Sequence, residues 1–287
     1  MRLITWNIQW GRGVDERVDL GRIARAVKAL GDFDVMCFQE VADNYPELAG
    51  NDDADQFAKL PALFPGYRCF EGIAIDVAAG ERRKRFGNLI LTRLPVHSAR
   101  RHALPWPADP GKDSMPRVAV EIVVAAPFGA LRITTTHLEY YSGTQRMAQA
   151  RRLRELHDEG CDRARNLARQ ARKELNATFD VTPQPEAAIL TGDFNFPPQA
   201  PEYPEIQAPL ASGGSRYRDA WTLAHGLRPH DPTFCVHDHS WKDTPYCCDF
   251  IFVTEGVPVR SIAVDAEARE SDHQPVLLEV GDTTRAA

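Results

Sequence analysis

The segment Leu190-Thr191-Gly192-Asp193-Phe194-Asn195 is an apolar run that ends in two polar side chains two residues apart. If a strand continues through it, positions i and i+2 point the same way, which sets Asp193 beside Asn195 at the edge of a buried sheet. A carboxylate that accepts a proton from water, next to an amide that orients that water, suits hydrolysis. The same two residues also suit a turn, because Asp and Asn are turn formers and Pro197-Pro198 follows at once.

The pattern of a short β-rich apolar run capped by a polar residue recurs along the chain. It is found at Leu3 to Asn7, Val35 to Glu40, Leu131 to His137 and Ile189 to Asn195, and in looser form at Phe250 to Thr254 and Ser271 to Leu278. The polar residues gathered in this way are Asn7, Glu40, His137, Asp193, Asn195, Asp249, Asp272 and His273. None is Ser or Cys, which favours a water nucleophile over a covalent one. Glu40 and Asp272, with the amide oxygen of Asn7, would form a hard, oxygen-lined site suited to Mg²⁺ or Mn²⁺. His137 and His273 would donate hydrogen bonds to phosphate oxygens, and Asp249 would fix the tautomer of one imidazole. This set of groups is suited to phosphoryl transfer.

Elements that would position these residues are readable between them. Val18 to Leu30 has apolar residues at Val18, Ile23, Ala26, Val27 and Leu30 in helical spacing and is closed by Gly31. Thr144 to Leu175 reads as one or two helices rich in Arg and Ala, with a solvated charged face or with Arg146, Arg151 or Arg152 turned to an anionic substrate. Phe86 to Leu94 is a further strand, and Val118 to Val124 pairs with Leu131 to Thr136 across a hairpin at Pro127-Phe128-Gly129. Strands separated by helices, with hairpins among them, predict a layered α/β sandwich of mixed or antiparallel sheets. No linker, repeat or low-complexity tract divides the 287 residues, so one domain over 1–287 is expected.

Composition sets the outer limits. A net charge of −6 and a pI near 5.9 give no global basic field of the kind that drives many nucleic-acid binders. The six cysteines are irregularly spaced, which fits reduced thiols. The strand-like opening Met1 to Trp6, with no charged segment and apolar h-region before it, gives the expectation of a cytoplasmic protein. No apolar run approaches the roughly 20 residues that span a bilayer. The basic segments Glu81-Arg82-Arg83-Lys84-Arg85 and Arg151-Arg152, with Trp10, Trp106 and Trp241 as stacking surfaces, point toward nucleic acid. The acidic run Asn51 to Asp55 reads as a helix cap or solvated turn. His225, His230, His237 and His239 fall in one stretch, but their spacing matches no closed zinc module.

Seven short motifs carry a resemblance when taken together and in order. They are Thr5-Trp6-Asn7-Ile8, Gln39-Glu40-Val41, Gly87-Asn88-Leu89-Ile90-Leu91, Thr136-His137-Leu138, Gly192-Asp193-Phe194-Asn195, Asp249-Phe250-Ile251-Phe252 and Ser271-Asp272-His273-Gln274-Pro275-Val276. In this order the chain resembles the endonuclease/exonuclease/phosphatase superfamily, which includes pancreatic-type DNases, abasic-site endonucleases, inositol polyphosphate 5-phosphatases and neutral sphingomyelinases. The resemblance implies a four-layer α/β sandwich, two mainly antiparallel sheets packed face to face with helices outside. It also implies that Glu40 holds a divalent metal, with Asn7 and Asp272 as ligands or as partners of ligands. Asp193 would activate the attacking water, Asn195 would position it, and His273, oriented by Asp249, would bind the scissile phosphate while His137 holds another phosphate oxygen. Tyr140, Arg146 and Asn88 are taken as substrate contacts.

Two departures bear on the substrate. Cys247 stands where many members carry a basic residue, and the loop Glu139 to Arg146 lacks the Pro-Asn type sequence of abasic-site enzymes. The expected activity is hydrolysis of a phosphate ester, first a phosphodiester of nucleic acid or of a small molecule. A phosphomonoester of a sugar, inositol or lipid head group is the second expectation. A binding module without activity is a third, against which stands the intact set Glu40, Asp193, Asn195 and His273.

Overall fold

Alternation along the central strands decides the architecture. Leu3, Val35, Cys37, Ile90, Ile189 and Ile251 belong to one buried cluster, while their neighbours Ile4, Met36, Phe38 and Leu89 belong to a second and Leu190, Phe250 and Phe252 to a third. Each strand therefore buries both faces, one against another sheet and one against helices. At about 1.5–3 kcal/mol per fully buried aliphatic or aromatic side chain, this double burial is the main stabilising term. The structure, a computed structural model, describes residues 1–167 and 182–281.

The first sheet contains β1 (Arg2–Asn7), β2 (Val35–Asp43), β3 (Arg68–Ala79), β4 (Arg82–Thr92), β11 (Val259–Val264) and β12 (Val276–Val280), in the order β11-β12-β1-β2-β4-β3. The second contains β5 (Val96–Ala103), β6 (Val118–Ala126), β7 (Gly129–His137), β8 (Ala188–Asp193), β9 (Arg218–Asp219) and β10 (Asp249–Val253), in the order β5-β6-β7-β8-β10-β9. Each sheet has one parallel pair at its centre, β1 with β2 and β7 with β8, and its other pairings are antiparallel. Helices α1 (Leu20–Leu30) and α2 (Gln56–Ala62) cover the outer face of the first sheet through Ile23, Val27, Phe57 and Leu60. Helices α3 (Gly143–Leu167) and α4 (Glu202–Ile206) cover the second through Ala150, Leu153, Leu156 and Ile206, and α5 (Ala220–His225) contributes Ala220 and Trp221 to the cluster between the sheets. These are the four layers expected.

Local chemistry sets the boundaries. Helix α1 starts two residues later than the spacing suggested, because the Asp19 carboxylate caps it by accepting from Arg22 N, while Val18 pairs with Arg12 in an isolated bridge. The acidic run Asn51 to Asp55 ends in the cap of α2, where the Asp55 side chain accepts from Ala58 N. The hairpin between β6 and β7 closes at Pro127-Phe128, with Ala126 opposite Gly129. The helix read over Thr144 to Leu175 is α3 as far as Leu167, and the rest of that reading lies outside the described residues.

Two readings are corrected. Ser271 to Leu278 is not one strand, since β12 begins at Val276. Ser271 Oγ donates to Asn7 O and accepts from His273 N, so this stretch satisfies its polar groups as a loop. The strand through Asp193 does not continue to Asn195 either. It stops at Asp193, and Asn195 adopts φ 54°, with its N–H donating to Asp193 Oδ1 at 2.9 Å.

Gly192 sits directly before that turn with φ 142°, and a Cβ there would lie 1.9 Å from Thr136 O on the adjacent strand. Gly192→Ala is expected to destabilise by about 2–4 kcal/mol, from backbone strain plus a forced separation of β7 and β8. Urea unfolding with unchanged stability would contradict this close approach.

Candidate active site

Strand register gathers the polar ends. In the second sheet His137 is paired with Asp193 and Asp193 with Asp249, so three titratable groups form one row across β7, β8 and β10. In the first sheet Asn7 ends β1, and Glu40 lies where the β2 to β4 ladder slips between Phe38 and Val41. Glu40 has φ 59°, so this bulge, rather than regular pleating, sets the direction of its carboxylate. The two sheet ends meet at a cavity of about 380 Å³ whose polar lining includes Glu40, His137, Asp193, Asn195, Asp272 and His273.

Asn7 joins the two halves. Its Nδ2 donates to Glu40 Oε1 at 3.0 Å and to Asp193 Oδ2 at 2.9 Å, while its Oδ1 accepts from Gln9 N at 3.1 Å. Asn7 thus braces two carboxylates through Nδ2, as a partner of ligands would, while Oδ1, with one hydrogen bond and a second lone pair, keeps the ligand role available. Burial, then repulsion from Asp272, pushes Glu40 up to about 7. Burial also pushes Asp272 up to about 6, although its Oδ2 accepts from Gln9 Nε2 at 2.8 Å.

The row in the second sheet behaves differently. Burial alone would raise Asp193, but His273, Asn7 and the Asn195 N–H together hold it below the usual carboxylate range. Burial alone would lower His273, but Asp249 and Asp193 on either side raise it to about 10, which makes it an imidazolium at neutral pH. Its Nδ1 donates to Asp249 Oδ2 at 2.9 Å, and Nε2 lies 3.6 Å from Asp193 Oδ2. Thr233 Oγ1 donates to the same Asp249 oxygen at 2.7 Å. Burial and the nearby Arg117 push His137 down to about 3, so this ring is neutral. Asn195 Nδ2 donates to Leu138 O at 2.9 Å and lies 3.0 Å from His137 Nε2, which makes that nitrogen an acceptor. His137 thus holds Asn195 in place, and in this state its Nε2 has no proton for a phosphate oxygen.

Two expected substrate contacts are elsewhere. Asn88 donates from Nδ2 to Val118 O at 3.0 Å and ties the first sheet to the second. Arg146 is bound to Glu202 at 3.1 Å and to the carbonyls of Glu139 and Tyr140, so its charge is used within the fold. Tyr140 does line the cavity. Four residues the sequence reading passed over are part of the site or support it. Gln9 and Thr233 hold carboxylates, Cys248 lies beside Asp249, and Arg117 lines the cavity with its Nε 3.4 Å from Glu139 and its Nη1 unpartnered. Arg117 opens the run Val118 to Val124, and a cation at the mouth of a strand buried on both faces is the signal that would have found it. The His225 to His239 stretch holds no cluster, as His225, His230 and His237 bond separately to Ile262 O, Asp219 and Ala266 O.

The sequence matches the Endonuclease/Exonuclease/phosphatase family over residues 4–273. The chain belongs to this family. Solved members share its architecture. An endonuclease/exonuclease/phosphatase from Bacteroides vulgatus superposes with a TM-score of 0.67 at 22% identity, covering 98% of both chains. The human Nocturnin catalytic domain with bound sulfate gives 0.66 at 19% identity, covering 98% of this chain and 93% of that one. A mannosyl-6-phosphatase from Bacteroides thetaiotaomicron gives 0.63 at 20%, covering 98% of this chain and 100% of its own. A search of curated proteins found no match.

The residues present fit a divalent cation. Asp193, Cys248, Asp249 and His273 bring ligand atoms within 4.8 Å of one another, a buried cluster that could hold one, and Asp249 Oδ1 there has no partner. Burial holds the Cys248 thiol well above its ordinary pKa, so it is a poor ligand for a hard ion. Glu40 and Asp272 offer carboxylate oxygens whose mutual repulsion a cation would relieve, and the buried Gln9 Oε1 beside Asp272 lacks a partner. Glu40→Gln is therefore expected to raise the melting temperature in chelator and to abolish the stabilisation that Mg²⁺ or Mn²⁺ confers on the parent chain. Thermal melts with and without metal read both effects, and a metal-induced shift that survives the substitution would place the cation elsewhere.

Proposed function

We propose that this family phosphoesterase is a Mg²⁺- or Mn²⁺-dependent hydrolase of a phosphodiester, with Asp193 activating the attacking water. The observation that carries this reading is the convergence, in one cavity, of an ionised Asp193, the Glu40 and Asp272 pair and the His273 imidazolium. Glu40 and Asp272 would hold the cation, which when bound would supply positive charge to the leaving oxygen. Asp193 accepts a proton from water. Held below the usual carboxylate range, it is a weak base, so its chief contribution is to orient the nucleophile. Asn195, with its amide nitrogen committed to His137 and Leu138, keeps Oδ1 as the acceptor that fixes the same water.

His273 supplies positive charge to a phosphate oxygen as charge builds on it, and Asp249 keeps that imidazolium charged and oriented. Arg117 offers its unpartnered Nη1 to a second oxygen. The water oxygen forms the new bond to phosphorus as the bond to the leaving oxygen breaks in line. The diester is the first reading, and the mannosyl-6-phosphatase of the same architecture keeps a phosphomonoester as the second.

The charge pattern also favours a small ester over nucleic acid. Arg82 and Arg85 pair with Asp43, Asp53 and Asp55, Arg83 with Asp76, Lys84 with Glu47, and Arg152 with Glu155 and Glu159. The segments that pointed to a polyanion are already neutralised from within.

Bis(p-nitrophenyl) phosphate, p-nitrophenyl phosphate and plasmid DNA, each assayed with Mg²⁺, Mn²⁺ and chelator, test the reading. The diester is expected to turn over fastest and only with metal, and Asp193→Ala to lose about 10²–10⁴-fold in kcat. Full activity in Asp193→Ala, or no hydrolysis in either metal, would sink the assignment.

A further inference from the structure

The polar groups occupy one part of the cavity lining; Trp10, Phe86, Tyr140, Tyr141, Phe234 and Trp241 supply aromatic surface around the same space. Several of these rings are held in place. Trp10 Nε1 donates to Ala49 O at 3.0 Å, and the Phe234 ring lies 4.5 Å from that of His273, tilted by 34°. Tyr140 meets Tyr141 edge-on at 4.8 Å and 88°, and Trp241 at 6.1 Å and 71°. Each edge contact sets the rim of one ring against the face of another, so these two contacts occupy at most two of the six faces of the trio. Tyr141 and Trp241 are 52% and 49% exposed, beside a concave site, where a flat apolar partner would remove that surface from water.

The side chains of the cavity argue against a substrate with many phosphates. Each further phosphate needs its own cationic partner. Among the described residues lining the cavity, Arg117 is the one arginine or lysine, and it already faces Glu139.

We infer that the substrate is a phosphate ester carrying a single phosphate joined to a planar aromatic group, a nucleobase or a simple aryl, which stacks on the Tyr140, Tyr141 and Trp241 wall while the phosphate reaches His273 and Arg117. This rests on the phosphoesterase reading above and adds the identity of the group that the phosphate bears.

Two matched pairs of methyl diesters test it. The first compares the methyl ester of adenosine 5′-phosphate with that of ribose 5-phosphate, and the second benzyl methyl phosphate with cyclohexylmethyl methyl phosphate. The aromatic member of at least the adenosine pair is expected to have the higher kcat/KM by about tenfold, a typical size for one stacked base. A preference in both pairs identifies aromatic groups in general, and a preference in the adenosine pair alone identifies the nucleobase. In Trp241→Ala and Tyr141→Ala, both at exposed positions, the preference is expected to shrink, mainly through KM. Equal rates within both pairs overturn the inference, as does a faster cyclohexylmethyl ester, or a preference that persists in full in both variants. No turnover of any member with either metal overturns the phosphoesterase reading and this inference with it.

Discussion

Like charges that must share a buried space are the constraint on which this molecule depends. Glu40, Asp193 and Asp272 line one cavity, and burial works against the ionised form of each. What makes the arrangement tolerable is an unequal division of partners. Asp193 receives two amide donors and faces the His273 imidazolium, whereas Glu40 and Asp272 receive one side-chain amide each and are left basic. One carboxylate is thereby fixed as an anion and two are left receptive to a cation, although all three are the same chemical group. Asn7 is the residue through which this division is made, because a single amide nitrogen serves a carboxylate from each sheet.

The backbone takes part in the same division. Non-glycine residues with left-handed φ include Gln9, Trp10, Glu40, Asn195 and Cys235, all of them at or beside the cavity. Regular strands deliver the polar residues to the sheet ends, and these irregular positions then turn them inward. The central parallel pairs matter for the same reason. Both end at this rim, so four strand termini, rather than one, open onto it.

Much of this was legible in the residues, with definite gaps. The short β-rich apolar runs Leu3 to Asn7, Val35 to Glu40 and Ile189 to Asn195 predicted strands, and their polar ends predicted the site. The pair at Asp193 and Asn195 was legible as a choice between a turn and a catalytic pair. It is a turn that places both residues at the cavity, so the strand-geometry argument was mistaken about its means. Asn88 and Arg146 were misassigned because a motif or a charge does not reveal which partner inside the fold will claim it. The partners of Arg82 to Arg85 were hidden in the same way, since they lie as far as 42 residues away in sequence. Gln9, Arg117, Thr233 and Cys248 were passed over because their importance comes from what they touch.

The sheets meet through an aliphatic layer, Val, Ile and Leu on both sides, which attracts without direction and would allow them to slide at little cost. Bonds that join the sheets with direction include Asn88 to Val118 O, Gln39 Nε2 to Thr135 Oγ1 at 2.9 Å, and Asn7 to Asp193. They act as detents, index marks that set the offset of one sheet against the other while the oily layer supplies the cohesion. Alignment and stability are therefore carried by different atoms. A chain that has lost a detent can remain folded, at the cost of one unsatisfied buried partner, while its two half-sites no longer face each other, so for this molecule a folded chain is not by itself an intact enzyme.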